Sequence, residues 1–205
     1  MNDDQSKRLV QQFPNRIFNP FLFTNYAEMH KGSYGMCGMA EFQPPYDRVI
    51  LRRFSRDPLT NNQFESYIKE IDFLINIDHP FAVKTIGATD QPPFCFISQY
   101  SNGINLFDII HTNRYNRSLT ANDKTRIVLG ISSCMNYLHS LNVINYDLHP
   151  QNIILPENGF PFLANFGLKP FSKYFPNSHF HTAPNQWTPP ELFNGDMATE
   201  KSDVY

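Results

Sequence analysis

The sequence has little of what marks a secreted, membrane-spanning or nucleic-acid-binding protein. Its three cysteines, Cys37, Cys95 and Cys134, lie far apart without CxxC spacing, so neither a disulfide framework nor a zinc ribbon is indicated. No apolar run reaches the roughly 18 residues that cross a bilayer, and the N-terminal MNDDQSKRLVQQF is polar where a signal region would be apolar. With 17 basic and 19 acidic side chains the net charge is −2, which gives neither a basic field for nucleic acid nor a polyanionic tail. Internal repeats and long low-complexity tracts are also missing. These absences leave a chain expected in the reducing cytoplasm, with no membrane or nucleic-acid partner. Its 205 residues are enough for one large domain or one domain in two lobes.

What is present is an ordered series of elements. YDRVILRRF (Tyr46 to Phe54) follows the breaker pair Pro44-Pro45 and reads as a strand. Phe64, Ile68, Ile71 and Ile75 recur at helical spacing, and Thr60 with Gln63 forms a capping-box signature. PPFCFISQY reads as a buried strand ending at the flexible Ser101-Asn102-Gly103. A second helix is announced by Thr120 and Asp123 and carries Ile127, Ile131, Met135 and Leu138 on one face. It delivers the chain to INYDLHPQNIIL. Then come a turn (Pro156 to Gly159), the short PFLANFG, and a loop rich in Pro, Asn, Ser and His up to Glu191. Loops of that length inside compact domains are usually functional.

The order of parts and six local motifs in register resemble a protein kinase of the tyrosine-kinase-like group. HKGSYG (His30 to Gly35) resembles the Gly-rich phosphate loop with its first glycine replaced; VILR (Val49 to Arg52) resembles VAIK; Glu70 falls at the helix glutamate. YDLHPQN resembles the catalytic loop, NFG (Asn165 to Gly167) resembles DFG, and PPE (Pro189 to Glu191) resembles APE. Asp147 precedes Asn152 by 5 positions and Asn165 by 18, the spacing of the family. The resemblance implies an α+β, bilobal kinase-like fold. In that frame residues 1–19 are a polar N-terminal extension, 20–98 a β-rich N-lobe with one helix, 99–105 a hinge, and 106–205 a mainly helical, incomplete C-lobe. It covers roughly residues 20–205 and ends inside what resembles the start of a C-lobe helix, EKSDVY.

The same resemblance assigns chemistry residue by residue. Phosphoryl transfer needs a positioned nucleotide, cations that offset phosphate charge and a base near the attacking hydroxyl. Asp147 matches that base and Asn152 a metal-holding amide, although a carboxylate at 147 could equally brace the loop through backbone N–H groups. His149 stands where Ser/Thr kinases carry a lysine that touches the transferred phosphate, as a contributor or as an ordinary loop histidine. Gly32 and Gly35 would let the backbone approach phosphate, and Gln99 to Ser101 would meet the base. Asn165, the second metal position, offers a dipole where magnesium prefers an anionic oxygen. One charge pair at about 4 Å and an effective dielectric near 20 is worth on the order of 4 kcal/mol, about three decades in rate.

Other departures point the same way. Arg52 replaces the lysine that pairs with Glu70 and the phosphates, and its planar fork is expected to lock Glu70 in a salt bridge instead. Ile50 adds bulk where an alanine roofs the adenine pocket, unless a shift of the strand points it elsewhere. Ser98 occupies the gatekeeper position. Tyr146 replaces the arginine that would grip a phosphorylated Ser178 or Thr182. The family's regulatory stack maps to Leu74, Thr85, Asn145 and Phe166, two of them polar and expected to be unsatisfied. His179 and His181 flank Phe180 without further ligands for a metal. The expectation is a pseudokinase that binds other proteins, with ATP and magnesium binding weakened by Ile50, Arg52 and Asn165. Two alternatives remain: a weakly active Ser/Thr kinase, and nucleotide binding without transfer.

Overall fold

The computed structural model describes residues 3–32, 35–112, 118–157, 159–166, 174, 186–194 and 196–205, which form two compact units. The first comprises residues 1–78, 84–100 and 168–182; the second comprises residues 79–83, 101–167 and 183–205. None of the helices among the described residues is long and apolar enough to cross a membrane.

Among the described residues the first unit holds a six-stranded sheet and two α-helices. Strands β1 (Ile17–Phe18), β2 (Thr24–Gly32), β3 (Gly35–Glu41), β4 (Arg48–Ser55), β5 (Thr85–Thr89) and β6 (Phe94–Gln99) are arranged β1-β5-β6-β4-β3-β2. Alternation along β4 decides which side chains share a face. Val49 and Leu51 join Ala40, Ile86, Cys95 and Ile97 in one apolar cluster. Ile50 and Arg52 point to the opposite face, where Ile50 is registered with Met39 and Ser98, and Arg52 with Cys37 and Phe96.

Helix α1 (Asp3–Gln12) precedes the sheet, and α2 (Asn61–Asn76) lies between β4 and β5. Residues 1–19, expected as a polar extension, thus contribute α1 and β1 to this unit rather than an appended tail. Thr60 caps α2 in a full capping box with Gln63, which satisfies two otherwise orphaned N–H donors. Helix α2 is anchored to the sheet by aromatic rings. Tyr67, fully buried, packs on Phe54, Phe94 and Phe96 at centroid separations of 5.1, 5.7 and 5.4 Å, and its hydroxyl reaches the carbonyl oxygens of Thr89 and Cys95. All three cysteines are buried thiols, and burial pushes Cys95 and Cys134 up to about 12, so these two behave as small apolar side chains.

The second unit holds α3 (Leu106–His111), α4 (Ala121–Ser140), α5 (Pro190–Phe193) and a three-stranded sheet of β7 (Gly103–Asn105), β8 (Ile153–Pro156) and β9 (Phe162–Leu163). Thr120 and Asp123 form the capping box of α4, and Ile127, Met135 and Leu138 are its buried stripe, with Ile131 half-buried. A glycine inside a helix costs about 1 kcal/mol relative to alanine. Gly130 is tolerated because a Cβ there would sit 2.6 Å from Pro161, which lies against the helix. Helix α4 and the β8 strand bracket the segment 141–152 that carries the candidate site.

Candidate functional site

One carboxylate holds the loop before Asp147 in place. Asp203, in the short 3-10 helix Glu200–Asp203, is buried, and its oxygens accept the backbone N–H groups of Asn145 and Tyr146, each at 2.8 Å. His139 Nε2 of α4 lies 2.9 Å from the same carboxylate. Tyr146 has φ 66, a left-handed conformation that a residue with a Cβ adopts only when its surroundings over-determine it. The double grip of Asp203 supplies that constraint. Sequence reasoning saw EKSDVY only as the start of a helix and missed this residue; its signal would have been an acid carried into the core by neighbouring apolar contacts, which no local pattern announces.

Beyond the strained turn, the side chains of Asn145, Asp147, Asn152, Asn165 and His149 lie in one polar network. Asp147 is buried, and its own N–H donates to Asn145 Oδ1 at 3.1 Å. Asn145 is therefore not the unsatisfied polar intrusion expected from its place in the regulatory stack: its Oδ1 accepts from Asp147 and its Nδ2 lies 3.7 Å from Met135 Sδ. Asn152 Nδ2 stands 2.8 Å from the Asp147 carbonyl oxygen and 2.9 Å from Asp147 Oδ2. Both neighbours are acceptors, so the amide nitrogen must face them and Oδ1 must face away. There Oδ1 accepts a hydrogen bond of 2.6 Å from Asn165 Nδ2, which turns Asn165 Oδ1 to a buried position with no partner among the described residues. Asn165 has φ 64, the left-handed region that asparagine tolerates better than most residues.

His149 closes the other side. Its Nδ1 accepts the backbone N–H of Gln151 at 3.3 Å, capping the short 3-10 helix Pro150–Asn152. A neutral ring then carries its proton on Nε2, which lies 3.4 Å from Asp147 Oδ2. Asn152 Nδ2, 3.0 Å from the same Nε2, is also a donor, so that approach is packing rather than a hydrogen bond. Trp187 stacks on the imidazole with centroids 5.2 Å apart and planes at 26°. Trp187 lies in the segment read as a loop up to Glu191, and nothing in its local sequence signals this contact.

The network's donor set tests the metal that the resemblance implies. Magnesium takes hard and preferably anionic oxygens. Of the two amide oxygens that would face it, Asn152 Oδ1 already accepts an N–H, and Asn165 is uncharged. A carboxylate at 165 would set two oxygens against each other and call for a cation between them; the Asn165 amide hydrogen takes that bridging place. Among the described residues no group of three or more His, Cys, Asp or Glu is arranged to hold a metal ion. The two amides themselves therefore offer a magnesium ion no anionic oxygen.

In the first unit, Gly32 and Gly35 are registered opposite each other at the end of the β2–β3 hairpin. Gly35 has φ 109, and a Cβ there would sit 2.4 Å from the Arg53 carbonyl oxygen, so the strand's own packing requires this glycine. Glu70 is on the buried side of α2, but the salt bridge expected from Arg52 is not made: Arg52 Nε instead lies 3.4 Å from Cys37 Sγ. Arg52 sits on β4 opposite Cys37, within reach of the sulfur on its own face of the sheet. Among the described residues Glu70 Oε1 is buried without a hydrogen-bond partner, and burial pushes the carboxyl up to about 8. Ile50 and Ser98 are cross-strand neighbours, both half-buried, and the Gln99 N–H donates to the Lys84 carbonyl oxygen at 2.9 Å. Ser101 opens the 101–167 segment of the second unit, its carbonyl oxygen accepting from Gly103 N–H. Ser178, His179, Phe180, His181 and Thr182 lie outside the described residues.

The sequence of residues 24–205 matches the model of the protein tyrosine and serine/threonine kinase family. The chain is similar to the serine/threonine-protein kinase TNNI3K of Mus musculus, with 30% identity over 165 residues, 77% of this chain and 20% of that protein. It is also similar to the dual specificity protein kinase pyk3 of Dictyostelium discoideum, with 31% identity over 158 residues, 77% of this chain and 11% of that protein. The protein kinase and PP2C-like domain-containing protein of Arabidopsis thaliana is 26% identical over 164 residues, 71% of this chain and 25% of that protein. The chain thus spans a quarter or less of the length of these relatives.

Proposed function

We propose that this chain, which belongs to the protein tyrosine and serine/threonine kinase family, is a pseudokinase that works in the cytoplasm by binding other proteins. Kinases of this family use ATP and magnesium. The observation that carries the reading is the 2.6 Å hydrogen bond from Asn165 Nδ2 to Asn152 Oδ1. It uses the amide oxygen that a cation would need and replaces the cation's bridging charge with an amide hydrogen. Two features of the first unit support weakened nucleotide binding. Arg52 is directed to Cys37 rather than Glu70, and Ile50 adds side-chain bulk on the same strand face. Asp147 keeps its place, so the loss is assigned to charge and cation anchoring rather than to the base.

The test is thermal denaturation with ATP, with and without magnesium or manganese, paired with a phosphate-transfer assay. The expected result is no cation-dependent rise in Tm and no transfer. A cation-dependent rise of several degrees together with transfer would establish the weakly active kinase instead, because a ligand that binds the folded state stabilises it by mass action. Reversal sharpens the test: Asn165→Asp with Arg52→Lys and Ile50→Ala should raise ATP affinity and introduce a cation response.

A further inference from the structure

Residues 3–18 precede the matched kinase segment, yet they are built into the first unit through an interface of their own. Leu9 of α1 is fully buried and Phe13 is 4% exposed. Beside Leu9, Arg8 makes a two-point ion pair with Glu65 of α2, its Nη2 3.1 Å from Oε2, and its guanidinium lies 5.7 Å over the Phe64 ring. Gln5 Nε2 donates to Asn61 Oδ1 at 3.4 Å, and Ser6 Oγ donates to Asp90 Oδ2 at 3.1 Å. Asn15, with φ 61, turns the chain so that the Arg16 carbonyl oxygen accepts the Ala88 N–H at 2.9 Å while its Nη1 donates to the Ile86 carbonyl oxygen at 3.2 Å. Gly87 shows that β5 is adapted to this passage: a Cβ there would sit 1.9 Å from Arg16 O.

The chemistry of the seat is specific. It offers an acid with two acceptor oxygens, an aromatic face beside it and a second acid at Asp90, next to the buried Leu9. Bidentate guanidinium binding adds geometric selectivity that lysine does not copy. We propose that residues 3–18 are a regulatory strap on α2, and that Asn61, Phe64, Glu65 and Asp90 form a docking surface for an amphipathic helix with an arginine next to a buried leucine. In this structure the chain's own α1 occupies that surface. A partner helix of the same chemistry reaches α2 by replacing α1. The inference goes beyond the pseudokinase reading and holds whether or not phosphate is transferred.

The test uses the full chain. Arg8→Glu should speed amide hydrogen exchange in α1 and in the first turns of α2 by about fivefold, and Glu65→Arg in the same molecule should restore it. Gly87→Ala, which attacks the strap from the sheet side, should also speed exchange in α1. A fluorescein-labelled peptide of residues 3–13 should bind the Arg8→Glu variant, whose own helix is released, and should not bind the Glu65→Arg variant. Unchanged exchange in Arg8→Glu, failure of the charge-swapped pair to recover, or peptide binding that ignores Glu65 would overturn the proposal.

Discussion

Glu70 and Asp203 are both buried acids on helical segments, one in each unit, and their surroundings are opposite. Asp203 receives two backbone N–H groups and faces His139 Nε2, so its oxygens have donors on every side that matters. Glu70 is placed differently: Arg52 lies at Cys37, Oε1 has no hydrogen-bond partner among the described residues, and burial drives the carboxyl up to about 8. A buried acid with donors organises backbone around itself, whereas one without them keeps its proton and acts as a poorly fitting apolar group. The second unit has therefore kept the scaffold of its loop, and the first has lost the pairing that the family's helix glutamate implies.

The largest break of this contrast should come from Asp203→Ala, which strands two N–H groups and removes the grip on the left-handed Tyr146. We expect a loss of about 3–5 kcal/mol in urea denaturation. A loss under about 1 kcal/mol would show that the loop holds itself. Glu70→Gln should act in the other direction. The folded-state value near 8 lies above the ordinary 4.5, so the folded chain binds more protons between them and wild-type stability falls as pH rises through that window. The variant's advantage should be absent near pH 4 and grow by up to about 1.4 kcal/mol per pH unit toward pH 8. A difference that stays flat with pH would mean that Glu70 finds a partner in solution. Smallest is Asn145→Leu, which removes the acceptor for the Asp147 N–H; about 1–3 kcal/mol is expected, and a stabilised variant would mean that this position needs only an apolar side chain.

Much of the fold was legible locally. The two capping boxes, Thr60 with Gln63 and Thr120 with Asp123, stand where the side chains announced them, because a cap is a contact over three residues. Strand β4 follows from its composition after the Pro44-Pro45 breaker, and the buried stripe of α4 from periodicity, for the same reason. The candidate site was legible as a set of positions, Asp147, Asn152, His149 and Asn165, because motif spacing survives substitution. Their orientation was not. The direction of the Asn152 amide depends on two acceptors of Asp147, and Asp203 arrives from 57 residues beyond Tyr146. Glu70 was misread as the salt-bridge partner of Arg52 because spacing places two residues on neighbouring elements without saying which neighbour the guanidinium meets.

The amino-acid order by itself determined which elements form, which residues share a strand or helix face, and that residue 165 is an amide. Those are properties of short stretches, governed by torsional preference, periodicity and side-chain type. Only the tertiary structure decided that the Asn165 amide closes on Asn152, that Arg52 turns to Cys37, and that an N-terminal helix covers α2. Each of these is a choice among competing partners distant in sequence, and it is settled by which donors and acceptors packing brings within hydrogen-bond reach.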